Sequence, residues 1–354
     1  GEECTVSGIK FSRTEIRIKL IDYLACSWVA DNTISQITED EEFDTWKFFP
    51  SGSATTTLSA NSLDPIPYNP GHRRTDSSDE YTLTVLLATT KDQKGVVTST
   101  LFSPYWLINK TQQPVHWKCS GRRGYNVVDP GTIHYPILMS FRQTLFSKKR
   151  MQIKVADSDL SEGFPVDVVG SNGTVLVRGK DGAFYPIAVH ITMSRIGLTK
   201  IITAHPFYLI VNKTKHIIEY SEDNYEFKPA FAKETTPFWP YRVKDLTLCF
   251  RFSEAPDISS KKVSLTASNA CLLNIHDRLI YVTIEVEEKG VEITLEDYFE
   301  GCSPILFVNG TERCIISYGQ DGCRQRNHLP PMHSAHFTWH DPMGERLVKW
   351  SIND

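Results

Sequence analysis

Six cysteine and histidine side chains near the C-terminal end have the types that bind metal ions. Thiolate and imidazole groups are the usual protein ligands of zinc, so these side chains are the first candidates for chemistry. They are Cys314, Cys323, His328, His333, His336 and His340. Their intervals lack the paired short spacings of zinc modules, and ligand types without that spacing are a weak signal. The sequence therefore predicts no metal site.

A possible nucleophile turn is the second candidate for chemistry. Residues 169–173 read VGSNG, which lacks the Gly-x-Ser-x-Gly spacing that exposes a catalytic serine between a strand and a helix. The sequence also contains neither a phosphate-binding loop nor a dinucleotide-binding fingerprint. We therefore expect a protein that is not an enzyme and that uses no cofactor.

The composition predicts a globular protein with no nucleic-acid partner. The chain has 354 residues, of which 40% are hydrophobic and 23% are charged, and its formal net charge is −4. Nucleic-acid binding generally needs a clustered basic excess, which this balance does not supply. The length predicts two or three domains. The sequence shows neither a signal peptide nor an apolar run long enough to span a membrane.

Three asparagines mark an internal repeat. Asn109, Asn212 and Asn309 lie 103 and 97 residues apart, and each follows a short run of apolar residues. The three segments read SPYWLINKTQQPVHWK, HPFYLIVNKTKHIIEYS and CSPILFVNGTERCIISYG. Apolar β-formers on both sides of a turn residue predict a β-hairpin with asparagine in its turn. The asparagine side chain can also bond the backbone two residues on, which gives it a structural role.

The same asparagines begin N-glycosylation sequons, as does Asn172. Because three of the four sequons fall at one repeated position, turn chemistry already explains them. The eight cysteines do not recur at matching repeat positions, whereas a secreted repeat protein would place its disulfides in register. We therefore expect reduced cysteines in an intracellular protein.

Matching strands precede the asparagines. They begin at Tyr81, Tyr185 and Tyr281, which lie 28, 27 and 28 residues before the three asparagines. Short alternating segments with frequent turn signals and no helical period predict an all-β chain, a tandem array of antiparallel β-sandwich-like repeats. The predicted units are residues 1–147, 148–243 and 244–354. The first would also contain an acidic loop, Gln36 to Asp44, and a proline-rich insertion, residues 62–80.

The repeated strings place the chain near a known family. SPYWLINKT, FYLIVNKT, TPFWPY and WHDPMGERLVKW resemble the adaptor-binding domain of vacuolar-protein-sorting-thirteen proteins, over most of residues 81–354. Members are long, bridge-like lipid-transfer proteins at organelle contact sites. The resemblance implies β-rich repeats, each marked by an asparagine, that capture short proline-x-proline peptides of membrane-bound adaptors. It also implies a cytoplasmic protein, peripheral at organelle membranes, whose membrane contact is indirect.

An extended peptide with two prolines could add to a strand edge, with aromatic side chains contacting the proline rings. The candidate aromatics are Tyr105, Trp106, Phe238, Trp239 and Trp339. Core packing is the alternative role for each of them.

Two other functions stay open at this point. One is a rigid spacer between neighbouring domains, and the other is direct binding of a membrane surface through the basic segments 147–150 and 258–263. Pro65-Ile66-Pro67 in the insertion is itself a proline-x-proline string, so the insertion could compete for a peptide site.

Overall fold

The structure of the protein is a computed structural model. It describes residues 19–23, 26–30, 43–51, 83–91, 93–94, 97–119, 126–128, 137–139, 141, 149–275, 278–299, 301–303 and 305–353. Every helix or strand in these ranges is a β-strand, which confirms the all-β prediction. The proline-rich insertion and the acidic loop before Phe43 lie outside the described residues. Among the described residues, no helix is long and apolar enough to cross a membrane.

The chain forms two compact units. The first comprises Gly1–Val175 and Val189–His205, and the second comprises Leu176–Ala188 and Pro206–Asp354. The predicted repeat boundaries near residues 147 and 243 stay a prediction, because a division by compactness does not define where a sequence repeat begins.

The first strands form an antiparallel sheet in chain order. It consists of β1 (Lys19–Tyr23), β2 (Cys26–Ala30), β3 (Phe43–Ser51), β4 (Leu83–Lys91) and β5 (Val97–Phe102). On β4 the side chains of Val85 and Leu87 are buried, in the alternation expected of a strand with one face on a core.

The repeat around Asn109 contributes two sheets. Their strands are β6 (Tyr105–Asn109), β7 (Val115–Cys119), β8 (Asn126–Val128), β9 (Ile137–Met139), β10 (Arg150–Val155), β11 (Phe164–Pro165), β12 (Asn172–Arg178), β13 (Phe184–Met193) and β14 (Lys200–Pro206). The sheet orders are β11-β10-β7-β8 and β12-β13-β14-β6-β9. Strands β6 and β14 run parallel.

The repeat around Asn212 has the same arrangement. Its strands are β15 (Tyr208–Asn212), β16 (Ile218–Ser221), β17 (Lys228–Ala230), β18 (Thr235–Phe238), β19 (Thr247–Phe252), β20 (Val263–Ser264), β21 (Asn269–Ile275), β22 (Arg278–Glu287) and β23 (Gly290–Asp297). The sheet orders are β17-β16-β19-β20 and β21-β22-β23-β15-β18, so both sheets match those of the preceding repeat strand for strand. This correspondence confirms a tandem array of sandwich-like repeats. Strands β15 and β23 again run parallel.

In the described residues, the repeat around Asn309 has five strands. It contains β24 (Ile305–Val308), β25 (Ile315–Gln320), β26 (Asn327–Leu329), β27 (Ser334–Phe337) and β28 (Val348–Asn353). The sheet orders are β24-β27 and β26-β25-β28. These strands correspond to β15, β16, β17, β18 and β19, in that order.

Apolar side chains from both sheets form the core of the second repeat. Ile210 on β15, Phe250 on β19 and Val282 on β22 are fully buried in one cluster. Gly290, at the start of β23, allows the backbone to approach closely, because a Cβ atom there would lie 2.7 Å from the Phe207 carbonyl oxygen. The Val291 N–H donates to that same oxygen at 2.7 Å.

The prediction of a β-hairpin at each asparagine is wrong. The strands before and after each asparagine belong to different sheets: β6 and β7, β15 and β16, and β24 and β25. Each segment is an arch that crosses from one sheet of the sandwich to the other. None of the three asparagines has a positive φ, and in the first arch the left-handed backbone lies at Gln112, whose φ is 58°.

Candidate peptide-binding site

Each arch is held by its asparagine side chain. Asn212 is fully buried, and its Oδ1 accepts hydrogen bonds from the N–H of Thr214 at 3.0 Å and from the Thr214 hydroxyl at 2.7 Å. Its Nδ2 donates to the carbonyl oxygens of His216 and Ala230, both at 2.8 Å. Because Ala230 belongs to β17, one side chain connects the end of β15 with the edge strand of the opposite sheet.

The other two asparagines make equivalent bonds. The Oδ1 of Asn109 accepts from the N–H and hydroxyl of Thr111, and that of Asn309 accepts from the same groups of Thr311, at 2.7 to 3.0 Å. The Nδ2 of Asn309 also donates to Leu329 on β26, at 2.9 Å. The amide groups of all three asparagines are therefore buried and bonded within the protein. Of the four sequon asparagines, only Asn172 is exposed.

Three of the five candidate aromatics are buried. These are Tyr105, Phe238 and Trp339. The Tyr105 hydroxyl on β6 donates to Asp167 Oδ1 at 2.7 Å. Phe238 is the last residue of β18, and Trp339 packs against Phe337 in the third repeat. Burial raises the pKa of Tyr105, and the bond to Asp167 raises it further. Burial alone would raise the pKa of Asp167, but hydrogen bonds from Tyr105 and the Lys149 N–H lower it overall.

Trp106 and Trp239 are half-buried. The Nε1 atom of Trp106 is covered and has no hydrogen-bond partner among the described residues. The ring of Trp239 lies 5.2 Å from that of Tyr185, between centroids. Phe238 is the last residue of the edge strand β18, and Trp239 follows it directly.

A cavity of about 340 Å³ opens beside Phe238 in the second repeat. It lies where β17 and β18 form the edges of their two sheets. Its aromatic lining is Tyr220, Phe238 and Tyr241. Its polar lining is Asp181, Ser221, Glu222, Asp223, Glu226, Lys228 and Arg242. Tyr220 and Tyr241 were not among the five candidate aromatics, although Tyr241 is the last residue of the TPFWPY segment that contains Phe238 and Trp239.

The carboxyl group of Glu222 is partly buried at this cavity. Burial raises the pKa of its carboxyl, while the N–H groups of Tyr241 and Arg242 donate to it and oppose that rise. The Tyr241 bond to Oε1 measures 2.8 Å, but the covered Oε2 has no partner among the described residues. This oxygen can therefore accept a hydrogen bond from a bound molecule, which would remove the cost of an unsatisfied buried acceptor.

Asp223 and Lys228, which also line the cavity, already have partners within the protein. Asp223 accepts from the N–H groups of Tyr225 and Glu226, which lowers its pKa to about 2. Lys228 Nζ lies 4.6 Å from the centre of the Tyr241 ring, within the range of a cation–π contact. Burial raises the pKa of Tyr220 to about 12, so this phenol stays neutral. The cavity therefore combines three aromatic side chains with charged groups, and the acceptor left at Glu222 suits a molecule that carries a hydrogen-bond donor.

The structure does not assemble the cysteine and histidine candidates into a metal site. Over the described ranges, no group of three or more metal-binding side chains is close enough to hold an ion. His333 Nδ1 instead contacts the Pro331 carbonyl oxygen at 2.6 Å. The basic segments also have internal contacts: Lys262 Nζ donates to the Glu222 carbonyl at 2.7 Å, and Lys149 Nζ lies 5.1 Å from the centre of the Tyr105 ring.

Comparison with known proteins identifies the family. The model of the family "Vacuolar-sorting associated protein 13, adaptor binding domain" matches residues 53–346. The chain is 27% identical to mouse intermembrane lipid transfer protein VPS13A, over 99% of this chain and 10% of that protein. It is 32% identical to mouse and human VPS13C, over 71% of this chain and 7% of each protein. The chain thus spans about a tenth or less of these relatives, and it belongs to the vacuolar-sorting associated protein 13 adaptor-binding domain family.

Proposed function

We propose that this chain is a non-enzymatic protein-interaction module that binds short proline-x-proline peptides of membrane-bound adaptor proteins. The family match supports the coarser part of this function, adaptor binding. The relatives carry the name of intermembrane lipid transfer proteins, which supports a role within a large protein of that kind. The module would direct that protein to organelle contact sites, with a cytoplasmic location and membrane contact through the adaptor only.

The aromatic cavity beside β17 and β18 is the observation that carries the proposal. Its volume of about 340 Å³ lies near the lower end of ligand pockets, about 300–1,000 Å³, so it suits a few residues of a peptide. Proline rings are compact and apolar, and aromatic-lined grooves are a recurrent way to bind them. Tyr241 supplies such a wall, because it is 40% exposed and its ring is accessible, whereas Phe238 is buried and belongs to the core beside the cavity.

The two edge strands favour contacts between side chains and the peptide rather than a continuous series of backbone hydrogen bonds to it. Pro229 lies in β17 and Pro237 in β18, and a proline cannot donate a backbone hydrogen bond. A peptide at this edge would therefore find few donors along the strands. The free Oε2 of Glu222 offers an acceptor for one peptide N–H, while the rings contact the prolines.

The proposal is tested by titrating a fluorescent proline-x-proline peptide from a membrane-bound adaptor into the chain. The matched peptide carries alanine at both prolines. We expect the proline peptide to bind at least about tenfold more tightly, which corresponds to ~1.4 kcal/mol. Hydrogen exchange of the same mixture should slow in residues 218–242. Equal affinity of the two peptides, or protection confined to another segment, would contradict the proposal.

A further inference from the structure

The cavity beside β17 and β18 is lined by more acidic than basic side chains. Its carboxylates are those of Asp181, Glu222, Asp223 and Glu226, and its cations are those of Lys228 and Arg242. In the part of the chain that the structure describes, none of these four carboxylates forms an ion pair. The cavity therefore carries negative charge that the protein does not pair, and a cleft of this kind attracts cations.

Asp181 reaches the cavity from the turn between β12 and β13 of the first repeat. The Gly179 N–H donates to the Ala183 carbonyl at 2.7 Å, and Asp181 Oδ1 accepts from the Ala183 N–H at 3.0 Å. Phe184, which follows the turn, donates its N–H to the Pro240 carbonyl at 2.7 Å. This bond attaches the turn to the second repeat, so the exposed carboxylate of Asp181 has a fixed place beside the cavity.

The loop between β16 and β17 supplies the other three carboxylates. Asp223 has a structural role, because its Oδ1 accepts from the N–H groups of Tyr225 and Glu226. Glu222 accepts from the Tyr241 N–H. The Glu226 side chain, in contrast, is exposed and bonds to no other residue among those described. Its charge is therefore available to a bound molecule.

The fold does not require acidic residues in this loop. The corresponding loop of the third repeat, between β25 and β26, contains Arg324, Arg326 and a single acidic residue, Asp321. Asp321 pairs with Lys349 at 2.6 Å, and Arg326 donates to the Cys323 carbonyl at 2.8 Å. The unpaired carboxylates are thus a property of the cavity in the second repeat, not of the strands that the repeats share.

An aromatic ring of the same cavity already contacts an ammonium group. Lys228 Nζ lies 4.6 Å from the centre of the Tyr241 ring, and Tyr241 is 40% exposed. The face of an aromatic ring attracts cations because its π-electrons make it electronegative. The exposed part of this ring is therefore a second favourable environment for a cation, next to the carboxylates.

We propose that the cavity selects peptides that carry a lysine or arginine next to their prolines. The basic side chain lies against the exposed part of the Tyr241 ring and pairs with the carboxylates of Asp181 and Glu226. This inference rests on the proposed function, because it names the class of proline-x-proline peptide that the cavity binds. A glutamate at the same peptide position is repelled by the unpaired carboxylates, so the cavity also discriminates against acidic peptides.

Fluorescent peptides that differ in one residue test this preference. Each contains a central proline-x-proline string and carries lysine, glutamine or glutamate at one flanking position, and the position is varied across the set. We expect the best lysine peptide to bind at least about fivefold more tightly than its glutamine counterpart at low ionic strength. The glutamate counterpart should bind least tightly. The lysine preference should decrease as salt is added, because exposed charges are screened.

The double variant Asp181→Asn with Glu226→Gln removes the two charges that the inference assigns to the peptide cation. Asparagine keeps an acceptor for the Ala183 N–H. The lysine and glutamine peptides should bind this variant with affinities within about twofold of each other. The matched control, Glu285→Gln with Glu288→Gln, changes the net charge equally at exposed positions outside the cavity and should keep the preference. Glu226→Gln alone should reduce the preference, and it removes no contact within the described residues.

Three results would overturn the inference. They are equal affinity of the lysine and glutamine peptides at every flanking position, a lysine preference that survives in the double variant, and a preference that the control variant loses as well. Peptides with alanine at both prolines complete the set. If the prolines have no effect but lysine does, the proposed function fails alone. If the prolines have an effect but lysine does not, this inference fails alone.

Discussion

Asn212 and Ala230 are joined by a hydrogen bond of 2.8 Å that connects the two sheets of the second repeat. Asn212 is the last residue of β15, and Ala230 is the last residue of β17, which borders the aromatic cavity through Lys228. One buried amide therefore holds the arch and also positions one rim of the candidate peptide site.

Replacing Asn212 with valine should destabilise the second repeat. The variant leaves the carbonyl of Ala230 and the N–H of Thr214 without their partner in a buried place. We expect a loss of about 1–3 kcal/mol in the free energy of unfolding, the cost of an unsatisfied buried group. Denaturant unfolding measures it. Asn274→Val is the control, since Asn274 is exposed on β21 and valine suits a strand. Equal unfolding midpoints of the Asn212 variant and the parent would show that the amide has no structural role.

Replacing Glu222 with glutamine should stabilise the protein more at neutral pH than at acid pH. Burial raises the folded-state pKa of this carboxyl above its unfolded value. Its favourable contribution is therefore complete below the unfolded pKa and is lost as the pH rises through the folded pKa. Glutamine keeps a side-chain oxygen for the Tyr241 N–H but carries no charge. The free energy of unfolding of the variant minus that of the parent, measured at several pH values, should increase with pH. A difference that stays constant would contradict the raised pKa.

Asp223 should show the opposite dependence on pH. The N–H groups of Tyr225 and Glu226 hold its pKa at about 2 in the folded protein, below the usual value. Its contribution is therefore present above the unfolded pKa and is lost as the pH falls through about 2. We expect Asp223→Ala to destabilise the protein at neutral pH, with an effect that shrinks in acid. An effect of the same size across this range would show that the hydrogen bonds do not depend on the charge.

Replacing Gly290 with alanine should destabilise the β22–β23 hairpin. The added Cβ would lie 2.7 Å from the Phe207 carbonyl oxygen, which belongs to the backbone and cannot turn away. We expect a loss of about 1–3 kcal/mol, the usual cost of local backbone strain. Gly173→Ala is the control, because its Cβ would meet nothing within 4 Å. Thermal unfolding compares the two variants, and the expectation fails if both melt with the parent.

The sequence predicts the repeated strands well but not the sheets to which they belong. Alternation around Asn109, Asn212 and Asn309 shows where strands begin and end. It does not show whether the chain folds back on its neighbour or crosses to another sheet, since both choices bury alternate residues. The parallel partner of β15 lies about 80 residues further along the chain, and such a long-range pairing leaves no local signal.

The cavity could be predicted only in part. The TPFWPY segment predicts Phe238 and Trp239 as candidates, because aromatic residues beside prolines are conspicuous, but of these two only Phe238 lines the cavity. Glu222 and Asp181 reach the same cavity from distant segments, and a lone glutamate in a polar stretch has no distinguishing pattern. Phe238 is buried because its face of β18 meets the core, and the sequence pattern does not show which face of a strand does so.

The affinity of a proline-x-proline adaptor peptide for the Tyr241→Ala variant tests the central claim most directly. Tyr241 lines the cavity and is 40% exposed, so its loss should remove a contact with little effect on the core. Tyr225→Ala is the matched control, because Tyr225 is 89% exposed and does not line the cavity. We predict about tenfold weaker binding for Tyr241→Ala, a loss typical of an aromatic contact residue, and unchanged binding for Tyr225→Ala. Parental affinity in both variants would contradict a peptide site at this cavity.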